Sequence, residues 1–290
     1  LIGAALTITP LVFVLWLDSL DLGGKRGILL AVVGLLAAVV ASGELTGLIR
    51  AAVPSLRAAP VLLASAVALL FAAAPVAWSN YPADCPLGQW GWTAIGMVAA
   101  MGGLFLVEML GYRQPGEAVV RLALGVFAVS YVTLPLVFLL HLRRLGSTHE
   151  GILSLVSVIL VVKLADSGAY FTGRAVGRHK MAPVLSPKKT WEGAVGAFVA
   201  AWLGGALFFY GVAPLCGWEA LRETSWLACS AYALPVAAAG MVGDLAESLL
   251  KRDLQVKDSA AWVPGLGGVL DVLDSLLFAA PVAYLWWVSR

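Results

Sequence analysis

A chain of 290 residues that is 61% hydrophobic and only 12% charged lacks the composition of a water-soluble domain, in which about a quarter of the residues carry charge. Its formal net charge of +2 excludes the dense basic surface that nucleic-acid binding requires, so no nucleic-acid partner is expected. Cys85, Cys216 and Cys229, like His141, His149 and His179, are scattered without CxxC or Cys/His spacing, which excludes a zinc centre and a disulfide framework.

A membrane-spanning helix needs about 17–25 mostly apolar residues. Such runs fall at 1–17, 27–43, 59–77, 91–110, 119–141, 150–172, 192–213, 226–248 and 266–288. The pattern predicts an all-α, polytopic integral membrane protein of about nine transmembrane helices. The first run reads as a span rather than a signal peptide, because no small-residue cleavage end follows it. The second is short, and the sixth ends in polar residues. Connections are short, no internal repeat marks an inverted-repeat transporter, and the 11 tryptophans suit the aromatic belts at the two membrane faces. Residues 1–145 read as a scaffold of transmembrane helices, and residues 146–290 as the region that carries chemistry.

Orientation follows from the basic residues. Arg50, Arg57, Arg113, Arg174, Arg178, Lys180, Lys188, Lys189, Lys251, Arg252 and Lys257 fall on one side of the predicted spans. The smaller set Lys25, Arg26, Arg143, Arg144, Arg222 and Arg290 falls on the other. The positive-inside rule assigns the first set to the cytoplasm, with a bacterial inner membrane as the expected location. Both polar stretches, 166–193 and 243–274, then face the compartment that holds nucleotides.

The first polar stretch closes the sixth span. Lys163, Asp166 and Tyr170 share a helical face at i, i+3 and i+7, and an ionisable pair in a membrane segment normally faces protein or a wet cavity. Gly168 and Gly173 permit close backbone approach or a helix break. Ser186 and Pro187 read as a turn that ends structure ahead of Thr190, which caps the next helix with Glu192 following. Lys188 and Lys189 stand just before that N-terminus, a favourable place for an anionic group. Topology lysines and a cap explain either lysine alone, but leave Lys163 and Asp166 unexplained.

In the second stretch Asp244, Glu247, Ser248 and Lys251 form one polar stripe at the end of a span, and Asp271 and Asp274 repeat an i, i+3 pair at the start of the last one. Mg²⁺ takes one or two carboxylates together with phosphates and waters, so Asp244 and Asp271, on different helices either side of a short loop, are candidate metal ligands. The turn Pro264-Gly265-Leu266-Gly267-Gly268 offers backbone N–H groups to phosphate oxygens.

The run Ser248-Leu-Leu-Lys251-Arg252, then Lys257-Asp258, then Pro264-Gly265-x-Gly267-Gly268-x-x-Asp271-x-x-Asp274 resembles the signature of the phosphatidate cytidylyltransferases, or CDP-diacylglycerol synthases. Asp166-Ser167-x-Ala169-Tyr170 and Ser186-Pro187-Lys188-Lys189-Thr190-Trp191-Glu192-Gly193 are similar to that family's second conserved block. The likeness is specific over about 160–275 by motif spacing, with Glu44 a further match upstream. It implies a polytopic, dimeric membrane enzyme that transfers CMP from CTP to phosphatidic acid, requires Mg²⁺ and is associated with K⁺. The family's metal-binding aspartates fall on Asp244 and Asp271. Two positions depart from the pattern: Leu266 stands where the family has His, and Val272 where it has Arg.

The expected chemistry is in-line nucleotidyl transfer at the cytoplasmic face of the C-terminal helices. A phosphate monoester is already a charged nucleophile, so catalysis reduces to positioning and charge neutralisation. Lys188, Lys189, Lys251, Arg252 and Lys257 are expected to hold the triphosphate, helped by Ser186, Gly265, Gly267 and Gly268. Arg174, Arg178 or Lys180 receives the lipid headgroup, and Asp166, Asp258 and Asp274 orient ligands or hold a second cation. Three alternatives stay open: a CTP-dependent transferase or kinase acting on an isoprenoid lipid, a transporter, and a non-catalytic membrane homologue.

Overall fold

The computed structural model describes Val14, Leu17, Asp18 and residues 27–78, 81–82, 84–256 and 267–290. Eight long helices follow one another: α1 (Ile28–Ala52), α2 (Ala58–Ala77), α3 (Gly88–Gly111), α4 (Ala118–Arg143), α5 (Thr148–Val176), α6 (Trp191–Leu207), α7 (Trp226–Asp253) and α8 (Val269–Val288). Each is long and apolar enough to cross a membrane, α6 together with the helical turns that extend it to Leu215. The chain is therefore an all-α polytopic membrane protein, and the eight helices coincide with the second to ninth predicted runs. The run at 1–17 lies mostly outside the described residues. The chain divides into two compact units, Leu1–Arg144 with Asp253–Val272, and Leu145–Arg252 with Leu273–Arg290.

The first unit is built on α1–α4. Helix α1 does not stop near residue 43 but continues to Ala52, so Glu44 and Arg50 are helical rather than in a loop. The cause is local: Pro54 is the first residue that disfavours helix in its predecessor, and Val53 is indeed the non-helical cap at φ −127°. The interior of α1 carries a buried polar row of Ser42, Glu44 and Thr46. Ser65 Oγ of α2 donates to Ser42 Oγ at 2.8 Å, and Thr46 Oγ1 donates to the Ser42 carbonyl at 2.6 Å. Helices α2 and α3 approach closely at Gly96, where a Cβ would meet the Ala68 carbonyl at 2.8 Å. The other side of α3 exposes Val98, Phe105, Leu106 and Leu110, a surface suited to hydrocarbon.

Arg143, expected in a loop as a topology charge, is instead the last residue of α4 and completely buried. Its Nε donates to Asp18 Oδ2 and its Nη2 to the Asp18 carbonyl at 3.2 Å. Breaking such a pair strands a buried charge, at a cost of about 3–5 kcal/mol. Arg143→Met is expected to lower the thermal unfolding temperature of the detergent-solubilised protein clearly, and an unchanged transition would contradict this.

The second unit contains α5–α7 and the body of α8. Helix α5 starts on a capping box, in which Glu150 N–H donates to Ser147 Oγ and Ser147 N–H to Glu150 Oε2 at 2.7 Å. It runs on through Asp166 to Val176 without a break at Gly168 or Gly173. Those glycines serve close approach: a Cβ on Gly168 would lie 2.5 Å from the Gly196 carbonyl of α6, and one on Gly196 would lie 2.1 Å from Thr172 Oγ1. Overpacking costs typically about 1–3 kcal/mol, occasionally more. Gly196→Val is expected to reduce the yield of monodisperse protein in size-exclusion chromatography, whereas Gly102→Val, at a position with open space around it, is expected not to.

Between α5 and α6 the chain forms an antiparallel hairpin of β1 (Lys180–Ala182) and β2 (Ser186–Thr190). Ser186 and Pro187 thus belong to a strand rather than a turn. Proline is tolerated because a two-stranded ribbon has an outer edge that needs no N–H partner. Thr190 caps α6 as expected, its Oγ1 accepting from Gly193 N–H at 3.1 Å. Helices α7 and α8 touch at Gly243, where a Cβ would fall 2.3 Å from the Asp274 carbonyl.

Candidate active site

In the second unit, that glycine contact brings the polar stripe of α7 beside Asp274 of α8. Asp166, Asp244 and Asp274 lie within electrostatic reach of one another. Carboxylates do not collect at the end of apolar helices without counter-charge, because each repels the others in a medium of low dielectric. Lysines provide it. Lys163 Nζ lies 3.6 Å from Asp166 Oδ2, Lys189 Nζ 2.8 Å from Asp244 Oδ2, and Lys251 Nζ 3.1 Å from Glu247 Oε1. Ser248 Oγ points at Asp244 Oδ1 from 3.5 Å.

Strand β2 delivers Lys189 to Asp244, while Lys188 on the same strand is exposed. Lys189 Nζ is shielded from solvent and has no well-angled hydrogen bond among the described residues, so its contact with Asp244 is an ion pair by distance. A shielded ammonium with donors to spare is chemically matched to an anionic oxygen. The hairpin is held at both ends. Glu192 of α6 accepts from Arg178 N–H at 3.1 Å, from His179 N–H, and pairs with His179 Nδ1 at 2.6 Å. Arg252 Nε donates to the Leu185 carbonyl at the hairpin turn, at 3.1 Å. Arg252 is therefore a support for the hairpin that carries Lys188 and Lys189.

In the first unit, the start of α8 is built by carboxylates. Asp271 folds back over the glycine turn, and its Oδ2 accepts from Gly268 N–H at 2.6 Å. Gly267 makes this possible: it has φ +82°, and a Cβ there would fall 2.0 Å from Asp271 Oδ2. The next two helix N–H groups, of Val269 and Leu270, donate to the two oxygens of buried Glu44 at 2.9 and 2.8 Å. The Gly268 N–H expected to meet a phosphate is thus committed to Asp271. Of the other sequence-derived site residues, Lys257, Asp258 and Gly265 lie outside the described residues, as does Leu266.

Two participants were missed in the sequence. Glu247 was seen in the stripe but given no role, and Glu44 was noted only as a match upstream. Both carried the same signal, an ionisable residue next to or within an apolar run. The charge-bearing oxygens of Asp166, Asp244 and Asp274 are the hard donors that Mg²⁺ selects. Among the described residues, no group of three or more His, Cys, Asp or Glu is placed to hold a metal ion by itself.

A model of the cytidylyltransferase family matches residues 4–289. The chain belongs to the cytidylyltransferase family. It is 41% identical over 146 residues to the phosphatidate cytidylyltransferase of Haemophilus influenzae, and 42% identical over 141 residues to that of Brucella suis. Each match covers 49% of this chain, which spans 49% of the length of both relatives. The phosphatidate cytidylyltransferase of Thermotoga maritima is 36% identical over 173 residues, covering 60% of this chain and 62% of the relative.

Proposed function

We propose that the protein transfers CMP from CTP to phosphatidic acid, releasing CDP-diacylglycerol and pyrophosphate. The observation that carries this reading is the contact of Lys189 with Asp244, inside a group of carboxylates at one end of lipid-facing helices. An oxygen of the lipid phosphate attacks the α-phosphorus of CTP as the bond to the β-phosphate oxygen breaks in line. The nucleophile is already anionic and pyrophosphate leaves without needing a proton, so no Ser/His pair is required. Lys189, with Lys188, Lys251 and Lys257, neutralises the triphosphate. Ser186 and Gly265 allow close approach of the nucleotide, while Gly267 and Gly268 accommodate Asp271, and Arg174, Arg178 or Lys180 receives the headgroup at the interface.

By motif resemblance Asp244 and Asp271 hold Mg²⁺, with Asp166, Asp258 and Asp274 as orienting carboxylates or ligands of K⁺. When bound, Mg²⁺ supplies positive charge to the phosphate oxygens as bonding changes at phosphorus. The same reading puts the catalytic end of the helices at the cytoplasmic face of a bacterial inner membrane, with the N-terminal helices over 1–145 serving as scaffold and homodimer contact. The lipid acceptor is the substrate tested first. Given phosphatidic acid, an archaeol-type phosphate and a polyprenol in parallel, the protein is expected to consume CTP with phosphatidic acid. Turnover with an isoprenoid acceptor alone would reassign the substrate. Failure to bind CTP at all would point to a non-catalytic homologue, with Leu266 and Val272 as the departures responsible.

A further inference from the structure

We infer that Glu44, a residue of the N-terminal helices, is a positioning residue for the metal-binding end of α8. The inference rests on the reading of Asp271 as a Mg²⁺ ligand. Glu44 sits in the middle of α1 and is buried, with 7% of its surface exposed. Both carboxylate oxygens are used at α8, one on Val269 N–H at 2.9 Å and the other on Leu270 N–H at 2.8 Å. These are the first two residues of the helix, whose N–H groups have no partner within the helix itself. Asp271 closes the third contact by accepting from Gly268 N–H. Three consecutive backbone donors are thus fixed by two carboxylates. Asp271 is anchored only as firmly as the helix start it folds back over, and Glu44 fixes that start at Val269 and Leu270. A carboxylate at this end is also favoured by the helix dipole, which explains a charged residue within an otherwise apolar helix. Glu44 contacts no reacting atom on this account. It acts by setting the orientation of Asp271, as outer partners of metal ligands do.

The test uses the full chain in detergent with CTP present, and Mn²⁺ titrated as a paramagnetic substitute for Mg²⁺. Wild type, Glu44→Gln, Glu44→Ala and Asp271→Asn are compared, and unfolding temperature and amide exchange at Val269 and Leu270 are followed in each. Loss of an outer partner weakens metal binding by roughly 10–100-fold, and Glu44→Ala is expected to fall in that range with faster exchange at both amides. Glu44→Gln keeps one acceptor oxygen and is expected to lie between, with an unfolding temperature near that of wild type. That variant decides the matter if Glu44→Ala does not fold. A purely structural role would lower the unfolding temperature and leave Mn²⁺ affinity alone. Unchanged Mn²⁺ affinity in Glu44→Gln and Glu44→Ala, with affinity lost in Asp271→Asn, would overturn the positioning role while the metal assignment stands. Unchanged affinity in Asp271→Asn as well would mean that the metal assignment has failed and this inference with it.

Discussion

Asp244→Asn and Asp271→Asn are each expected to reduce CMP transfer by more than the roughly 10–100-fold that loss of an outer partner of a metal ligand costs. Both substitutions keep size and shape while removing the negative charge that a hard cation requires. Their secondary effects differ. Asp244→Asn leaves Lys189 Nζ without its ion-pair partner at 2.8 Å, so this variant should also change the apparent affinity for CTP. Asp271→Asn retains an oxygen that can accept from Gly268 N–H, so α8 should start normally and the protein should purify as wild type does. Steady-state transfer assays across a range of Mg²⁺ concentrations check both. Wild-type turnover in the two variants would remove the metal assignment.

Lys189→Met should have a comparable effect by the opposite loss. It removes a shielded positive charge and leaves Asp244 uncompensated among Asp166 and Asp274. Removing one preorganised donor from a site where charge develops typically costs about 100–1,000-fold in kcat, and that range is expected here. Lys188→Met should cost much less, because Lys188 is exposed and screened by water and salt. Lys189→Arg is expected to recover only part of the rate, since a planar guanidinium does not fit where a compact ammonium does. Equal kcat values for Lys188→Met and Lys189→Met would show that neither lysine acts from a shielded position.

Much of the fold was legible because a single physical quantity governs it. Apolar runs long enough for hydrocarbon located all eight described helices, and the prolines inside α2, α4, α7 and α8 did not mislead, since membrane helices tolerate them. The errors came where local and tertiary effects compete. The predicted run ended at residue 43, yet α1 continues through a buried polar stretch in which Ser42 and Glu44 have partners remote in sequence. Ser186-Pro187 looked like a turn because both residue types favour turns, and only its pairing with Lys180–Ala182 makes it a strand. Within the site, spacing identified Lys163 with Asp166 and the α7 stripe, because i, i+3 and i+4 partners lie on one helix. The pairing of Lys189 with Asp244 and the reach of Glu44 to α8 join separate elements, and no local period encodes them. The glycine turn was recognised but its use was not. Its Gly267 makes room for Asp271 instead of presenting Gly268 N–H to a phosphate.

The central claim is that the α-phosphorus of CTP ends on the lipid. The most direct measurement follows two labels through one reaction, with purified protein, phosphatidic acid, Mg²⁺ and CTP labelled at either the α- or the γ-phosphate. The account predicts Mg²⁺-dependent transfer of the α-label to the lipid fraction, with the γ-label recovered in pyrophosphate and both signals lost in Asp244→Asn. Transfer of the γ-label to lipid would identify a kinase, and lipid carrying neither label while CTP remains bound would contradict nucleotidyl transfer to phosphatidic acid.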